Sequence, residues 1–310
     1  MDFAARVCHH PPTASLPRLR RSLWRQARAN PRCPATRIDG RVALVTGGSR
    51  GVGLETSRGL AARGAEVVSA ARGREAGERM IEALRAEHDR PAHFLPLDLA
   101  DLSTLPRSLD GLESVLAGRR LDVLVANAGV WPRRYARSAQ GHEIAFATNV
   151  LGHAALVRRA LERGLLAEGA RVVIVTGDIY VMASGCSADF VYRGALGGQQ
   201  AYCRSKLGNL WTMQELARRE PSLRVHAVHP GVVASGLGGG RSGVGLAIKR
   251  ALMLSPEQGA QTSLFCATQP GLRTGSYYHN VLGRVEFAPS DPARDEEQAA
   301  GLWSLLERLV

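Results

Sequence analysis

Tyr202 and Lys206 are the residues of this sequence whose types and spacing most directly suggest chemistry. Only two of the 40 lysines and arginines are lysines, so this one indicates a need for a compact ammonium with rotatable donors, which arginine does not provide. Positions four apart share one face of a helix, so both side chains can enter one pocket. There the ammonium is expected to lower the phenol pKa from about 10 and make Tyr202 a usable proton donor or acceptor. The alternative is a solvated pair on a helix surface.

A second motif is the glycine-rich turn between an apolar run and a helical pattern. Glycines let a backbone turn tightly and approach a pyrophosphate, which then rests on the N-terminus of the following helix. A position after the first buried strand and before the first helix is the context that dinucleotide binding requires. The predicted contacts come from Gly47, Ser49, Arg50, Gly51, Val52 and Gly53.

The residues after the second predicted strand bear on which dinucleotide is bound. A protein selecting NAD places Asp or Glu there to bind the ribose 2′-hydroxyl, but this sequence reads Ala70, Ala71 and Arg72. Arg72 and Arg50 offer guanidinium groups, whose geometry suits a phosphate. The sequence therefore predicts NADP(H) as cofactor, although a general excess of arginine would also place these two residues.

The elements that must position these motifs alternate between apolar β-rich runs and helical patterns from Asp39 onward. Such alternation is typical of βαβ units and a parallel sheet. We predict an α/β fold, a single doubly wound Rossmann-type parallel sheet with helices on both faces. The predicted strands lie at 42–45, 66–71, 93–97, 121–126, 171–176, 223–228 and near 276–287, and the predicted helices at 52–63, 74–88, 141–163, 200–219, 256–268 and 293–309.

Composition limits the function classes. The 310 residues are 45% hydrophobic and 22% charged, as in ordinary globular proteins, and no apolar run is long enough to span a bilayer. The five scattered cysteines and nine histidines lack disulfide or metal spacing, so neither a disulfide framework nor a metal site is expected.

The net charge of +12 is concentrated near the N-terminus. Residues 1–38 hold eight arginines, one acid and five prolines, which predicts a disordered basic extension before a domain spanning 39–310. An unstructured leader, an Arg-rich organelle-targeting peptide and a basic arm for nucleic acid or anionic lipid are the alternatives. We expect a cytoplasmic protein that binds no nucleic acid, with organelle targeting left open.

Over 39–310 the sequence resembles the short-chain dehydrogenase/reductases, and its closest likeness is to the branch of retinol dehydrogenases and WW-domain oxidoreductases. The likeness to that branch rests on the run 201–210 and on 256–262. The family markers occur in order: the turn from Thr46 to Gly53, Asp98 and Leu99, Asn127 to Gly129, Asn149, Tyr202 and Lys206, and Pro230 and Gly231.

The resemblance implies roles for these residues. Tyr202 would transfer a proton while Lys206 holds the nicotinamide ribose, and Asn149 would fix a water on a proton path. Hydride would pass directly between nicotinamide and substrate carbon. Further cofactor contacts would come from Asp98, Leu99, Asn127, Ala128, Gly129, Pro230, Gly231, Val233 and Ser235.

One marker departs from the family pattern. A serine that orients the substrate oxygen normally follows the fifth strand, but here its place falls on Gly177 or Asp178. Thr176 could supply a hydroxyl if the loop shifts, and a protonated Asp178 could donate a hydrogen bond. Both remain candidates for orienting the substrate. The alternative is that no residue takes the place of the serine.

Two glycine-rich segments are expected to enclose the substrate. Residues 181–200 would form a mobile flap, and 232–255 an apolar lid, whose closure would exclude water. A core-packing helix is the alternative for the lid, and peripheral membrane contact through it stays open. The leading hypothesis is an NADP(H)-dependent oxidoreductase of a lipophilic aldehyde, ketone, retinoid-like or steroid-like compound, with a homodimer implied by the family. The alternatives are a catalytically weak NADPH-binding sensor or interaction protein, and nucleic-acid binding by the basic arm.

Overall fold

A computed structural model describes residues 7–9, 32–234 and 253–310. Its centre is a nine-stranded sheet with the order β1-β9-β8-β7-β6-β5-β2-β3-β4, in which β8 and β9 pair antiparallel and every other neighbouring pair is parallel. The strands are β1 Val7–His9, β2 Val42–Thr46, β3 Glu66–Ala71, β4 Ala92–Pro96, β5 Leu121–Ala126, β6 Leu166–Val175, β7 Arg224–His229, β8 Ser276–His279 and β9 Gly283–Glu286.

Helices cover both faces of the sheet, because its strands are apolar on both sides. One core cluster lies under α1, α2 and α6, and the other under α3, α4, α5 and α7. The helices are α1 Gly51–Ala61, α2 Arg74–His88, α3 Leu105–Leu116, α4 Gly152–Glu162, α5 Gly197–Arg219, α6 Pro256–Thr268 and α7 Glu296–Leu309. The predicted doubly wound α/β fold is confirmed.

The strand order places the functional motifs together. The chain moves outward from β2 to β4, returns to β5 on the other side of β2, and continues to β9. In doubly wound sheets, ligands bind outside the carboxyl ends of the strands at such a switch point. The turns after β2, β5 and β6 therefore face one cleft.

Three details differ from the predicted elements. Helix α3 was not predicted, although Leu105, Leu109, Leu112 and Leu116 form its buried stripe. The last predicted strand, near 276–287, is a hairpin of β8 and β9. The predicted helix 141–163 consists of a helical turn at Ile144–Phe146, a π-helical turn at Ala147–Leu151, and α4.

The described part of the N-terminal extension contacts the domain. Strand β1 pairs with β9. Cys33 is buried, and its N–H donates to Gln261 Oε1 at 2.8 Å, so chain packed on the domain begins before the predicted boundary at residue 39. The rest of that extension lies outside the described residues, as do 235–252 of the predicted lid. Ser235 is among them.

Candidate active site

The glycine turn after β2 is built so closely that side chains are excluded. A Cβ on Gly53 would lie 2.3 Å from Gly47 O and 2.5 Å from Asn127 Nδ2. Gly47 has φ +65°, in the left-handed region that favours glycine. The turn therefore packs directly on the segment after β5.

The same turn has the form of an anion cradle. Gly51, the first residue of α1, has φ +57°, and a Cβ there would meet nothing within 4 Å. The side chain of Arg50 makes no capping hydrogen bond to the helix. First-turn N–H groups that lack helical partners attract anions. With Ser49 and Val52 beside them, these residues fit the pyrophosphate of a dinucleotide.

Arg50 and Arg72 lie at the ends of neighbouring strands, since Thr46 pairs with Ala70 across β2 and β3. Both side chains are exposed, and neither has an acidic partner in the described part of the chain. Their positions match those from which arginines can reach a phosphate on the adenosine side of a dinucleotide.

Asn127, which follows β5, forms hydrogen bonds with the start of the glycine turn. Its Nδ2 donates to Thr46 O at 2.9 Å, while the backbone N–H groups of Asn127 and Ala128 donate to Thr46 Oγ1 at 2.9 and 3.0 Å. At Gly129, a Cβ would lie 3.4 Å from Asn149 Oδ1 and 3.9 Å from Lys206 Nζ. The segment 127–129 thus connects the glycine turn with the centre of the cleft.

Asp98 and Leu99 border the cleft after β4. Asp98 accepts the N–H of Ala100 at 2.9 Å, and Leu99 is buried. A Cβ on Gly152, at the start of α4, would lie 2.3 Å from Leu99 O. The close approach of α4 thus fixes the backbone of the Asp98 loop.

The segment after β7 supplies another wall. Gly231 has φ +89°, and a Cβ there would lie 2.3 Å from Asn280 Nδ2. Pro230 precedes it, and Val233 is paired with Leu254 by a β-bridge. At Gly259 of α6, a Cβ would lie 2.6 Å from Val233 and 3.2 Å from Val52, so this wall meets the start of α1.

Asn149 lies in the π-helical turn before α4 and is fully buried. Its Oδ1 accepts the N–H of Val130 at 2.8 Å, and its Nδ2 donates to Val130 O at 3.0 Å and to Ser205 Oγ at 2.9 Å. Ser205 Oγ donates in turn to Tyr202 O. A π turn often re-aims a side chain at a functional site, and here it joins the 127–130 segment to α5. The predicted water path stays a prediction.

Tyr202 and Lys206 share one side of α5, as their spacing predicted. The Tyr202 ring stacks on Trp131, with centroids 4.7 Å apart and planes 1° from parallel. Lys206 Nζ lies 5.3 Å from the centre of the Tyr202 ring and donates to Val175 O at 3.0 Å. Lys206 is buried, so the solvated alternative does not describe this pair.

Burial governs the pKa of both groups. It raises the pKa of Tyr202 to about 12 and lowers the pKa of Lys206 to about 8, because each charged form loses hydration. The expected lowering of the Tyr202 pKa by Lys206 is therefore wrong for the protein alone. Tyr202 is a protonated phenol at neutral pH and can donate its proton, while Lys206 stays mostly charged.

Both residues considered as replacements for serine are committed to other partners. Thr176 Oγ1 donates to the backbone oxygen of Lys206 at 2.7 Å. Asp178 accepts the hydroxyl of Tyr277 at 2.5 Å and lies 2.9 Å from His279 Nε2. Gly177 has extended backbone, and a Cβ there would lie 3.7 Å from the nearest heavy atom, in His229.

Asp178, His229 and His279 have ligand atoms within 4.8 Å of one another, which raises the question of a metal. His279 Nδ1 accepts the N–H groups of Val281 at 3.0 Å and Leu282 at 3.3 Å. The proton of the neutral ring must then be on Nε2, from which it is donated to Asp178. With that tautomer Nε2 has no lone pair for a metal, so the cluster acts as a hydrogen-bonded anchor between β6 and β8.

Two site residues were not predicted, His153 and Trp131. His153 Nδ1 lies 3.1 Å from Asn149 O, and Nε2 lies 2.8 Å from Thr46 Oγ1. Burial lowers the pKa of His153 to about 4, so the neutral ring donates from Nδ1 and accepts at Nε2. It thereby links the glycine turn to the π turn. Its spacing of four from Asn149 was the available signal.

Comparisons with known proteins agree with this geometry. Residues 41–242 match the family model described as short chain dehydrogenase. Retinol dehydrogenase 12 of Homo sapiens is 34% identical over 278 residues, which cover 86% of this chain and 85% of that protein. Polyprenol dehydrogenase of Mus musculus is 34% identical over 280 residues, which cover 86% and 82%.

Solved structures match over similar lengths. An uncharacterized protein from Mycobacterium Paratuberculosis has a TM-score of 0.69 at 31% identity, covering 88% of this chain and 94% of its own. A short chain dehydrogenase from Burkholderia cenocepacia, in complex with NADP, has a TM-score of 0.63 at 25% identity, covering 78% and 97%.

Proposed function

This chain belongs to the short-chain dehydrogenase family, in the branch of the retinol dehydrogenases, and we propose that it works as an NADP(H)-dependent reductase of lipophilic aldehydes or ketones. Family membership makes it an NAD(P)-dependent oxidoreductase of CH–OH or C=O groups. The preference for NADP(H), the substrate class and the residue roles are the proposal.

The pair of half-buried Tyr202 and buried Lys206 is the observation that carries this proposal. A bound NADPH would supply the hydride. Tyr202, with its pKa raised to about 12, holds its proton at neutral pH and can donate it to a carbonyl oxygen as a general acid. The charged Lys206 favours the phenolate that this donation leaves. Trp131 orients the phenol by stacking, and Asn149 holds α5 through Ser205.

Arg50 and Arg72 support the NADP(H) preference. They are exposed at adjacent strand ends, and β3 ends in Ala70 and Ala71 without a carboxylate. A 2′-phosphate would gain charge-assisted hydrogen bonds there. The Burkholderia relative was solved with NADP, which agrees with this assignment.

Apolar surface supports a lipophilic substrate. In the described part of the chain the exposed large hydrophobic side chains are Tyr135, Met182, Val191 and Leu196. Three of them lie in the predicted flap 181–200, and Tyr135 packs edge-on against Tyr192 of that flap. Tyr192 also donates to the buried Glu143 at 2.6 Å, which anchors the flap. Such a rim would admit an apolar molecule or touch a membrane surface. No helix among the described residues is long and apolar enough to span a bilayer.

Assembly as a homodimer stays a proposal. Most of α5 is buried within its own chain. Helix α7 packs on it, with Arg219 over the Trp303 ring at 5.3 Å. A partner would therefore meet α4 and α7 rather than α5, and light scattering of the purified protein would measure the stoichiometry. Cytoplasmic residence and targeting by the basic N-terminus remain expectations.

The test compares the rates of NADPH and NADH oxidation with a panel of lipophilic aldehydes and ketones as substrates. Turnover should favour NADPH and collapse in Tyr202→Phe. Arg72→Asp should shift the preference toward NADH. Arg74→Asp is its matched control, because Arg74 is also exposed nearby but pairs with Glu78 at 3.0 Å. Unchanged turnover in Tyr202→Phe would refute the mechanism, and equal effects of both aspartates would refute the role of Arg72.

A second candidate, an NADPH-binding sensor with little turnover, is favoured by Gly177. Neither Thr176 nor Asp178 offers a hydroxyl to a substrate oxygen, since both are engaged elsewhere. Calorimetry showing tight NADPH binding, together with no turnover on the whole panel, would favour this candidate over the reductase.

A further inference from the structure

Glu143 is a buried carboxylate at the start of the helical turn that leads to Asn149. The residue is 2% exposed, and in the described part of the chain no arginine, lysine or histidine forms an ion pair with it. Burying a charge is unfavourable unless hydrogen bonds replace the lost water. The groups that donate to this carboxylate are therefore expected to be held firmly in place.

Backbone and side-chain donors replace that water. Glu143 Oε1 accepts the N–H of Ala145 at 2.9 Å and the hydroxyl of Tyr192 at 2.6 Å. Its Oε2 accepts the N–H of Phe146 at 2.8 Å. The N–H donors belong to the helical turn that Glu143 begins, whereas Tyr192 belongs to the flap 181–200. A single carboxylate thus holds two segments that are far apart in the sequence.

The flap is held to Glu143 by its main chain as well. The carbonyl of Ala188 accepts the N–H of Glu143 at 3.1 Å. Tyr192 also packs against the start of α5, where a Cβ on Gly197 would clash with the Cβ of Tyr192. Glu143 and Tyr192 therefore fix the flap beside the helix that carries Tyr202.

In the other direction, Glu143 supports the turn that positions Asn149. Its carbonyl accepts the N–H of Ala147 at 2.8 Å, and its side chain caps the turn. The chain continues directly into the π-helical turn that contains Asn149. Asn149 Nδ2 donates to Ser205 Oγ, which donates to Tyr202 O. Glu143 is thus connected through Asn149 to the helix that carries Tyr202.

From these contacts we propose that Glu143 is a positioning residue with two separable effects on the reaction. Through Tyr192 it holds the flap that encloses the substrate, which lowers the KM for a lipophilic carbonyl compound. Through the capped turn it positions Asn149 and so orients Tyr202 for proton donation, which raises kcat. The kinetic effects rest on the proposed reductase function, whereas the two structural connections do not depend on it.

The kinetic test separates the two effects by substitution. Tyr192→Phe removes the donating hydroxyl, and Glu143→Asp keeps a capping carboxylate on a side chain that is shorter by a methylene. Both should raise the KM for the best aldehyde of the panel about tenfold and change kcat less than about threefold. Glu143→Ala also removes the cap and should lower kcat about tenfold as well. Tyr180→Phe is the matched control, because the Tyr180 hydroxyl donates to the carboxylate of Asp291 at 2.9 Å; it should keep the wild-type KM.

Two further measurements on the full chain do not need turnover. The rate of trypsin cleavage after Arg193, an exposed residue of the flap, reports release of the flap and is followed by mass spectrometry. Cleavage should be about tenfold faster in Tyr192→Phe and Glu143→Asp than in the wild type and in Tyr180→Phe. Hydrogen exchange of the amides of 147–153 reports the capped turn, and it should be faster in Glu143→Ala than in Glu143→Asp.

Different results would overturn different parts of the proposal. Equal increases in KM and in cleavage for Tyr180→Phe and Tyr192→Phe would mean a general loss of stability and would refute the connection to the flap. Equal kcat values and equal exchange rates for Glu143→Ala and Glu143→Asp would refute the connection to Asn149. A merely unfolded fraction would lower kcat at unchanged KM, and the stoichiometry of NADPH binding measured by calorimetry would reveal it. If the wild type shows no turnover, the reductase function is refuted, and cleavage and exchange decide the two connections of Glu143.

Discussion

Replacing Gly177 with serine is expected to raise the rate of carbonyl reduction. The backbone there is extended, with φ −173° and ψ 147°, which any residue adopts. A Cβ would lie 3.7 Å from the nearest heavy atom, an ordinary van der Waals distance. Serine therefore fits without strain and adds a hydroxyl directly after β6, where the family pattern has one.

The magnitude follows from one hydrogen bond to an oxygen that gains charge in the transition state. Hydrogen bonds to charged groups contribute about 1.5–3 kcal/mol, which corresponds to roughly 10- to 150-fold in rate. Replacing the glycine should also stabilise the fold by about 0.4–1 kcal/mol, because the unfolded chain loses freedom.

The assay is steady-state NADPH oxidation with the best substrate of the panel, together with the thermal unfolding midpoint. Gly177→Ala is the matched control, since it adds the Cβ without the hydroxyl. Asp178→Ser tests the other alignment and should lower stability by breaking the contacts with Tyr277 and His279. Equal kcat values for the serine and alanine variants at Gly177 would refute the reasoning.

Three further predictions concern the turn and the buried histidines. Gly53→Ala should weaken NADPH binding at least tenfold, because its Cβ would lie 2.3 Å from Gly47 O. The affinity is measured by fluorescence titration, and Gly73→Ala, whose Cβ meets nothing within 4 Å, is the control. Equal NADPH affinities of the two variants would contradict the role of the glycine turn in binding the cofactor. His153→Leu should cost about 1–3 kcal/mol in urea unfolding, because Thr46 and Asn149 O lose a buried partner; an unchanged midpoint would contradict this link. Burial lowers the pKa of His153 and His226 to about 4, so the unfolded chain binds more protons between about pH 6.5 and 4. The free energy of unfolding should therefore fall by up to about 1.4 kcal/mol per pH unit for each histidine as the pH drops through that window; equal values at pH 7 and pH 5 would contradict the prediction.

Much of the fold and of the site could be predicted because its signals are local. The β-rich runs and the turn at 46–53 specify a parallel sheet and an anion cradle within a few residues of sequence. The spacing of Tyr202 and Lys206 was enough to place both on one face of α5, since helix geometry alone decides it. Helix α3 was missed although its leucine stripe is equally local.

The features that could be learned only from the tertiary structure depend on burial and on contacts between residues far apart in the chain. The sequence predicted a lowered pKa for Tyr202, yet burial, which removes water from the phenol, raises it. The sequence left Thr176 and Asp178 open. The partner of Thr176, Lys206 O, is brought to it by the packing of α5 on the sheet, and the partners of Asp178, the Tyr277 and His279 side chains, are brought to it by the pairing of β6, β7 and β8. Residue types and spacing specified which chemistry was available. Desolvation decided the protonation state of each group, and long-range hydrogen bonding decided which side chains stayed free to take part in that chemistry.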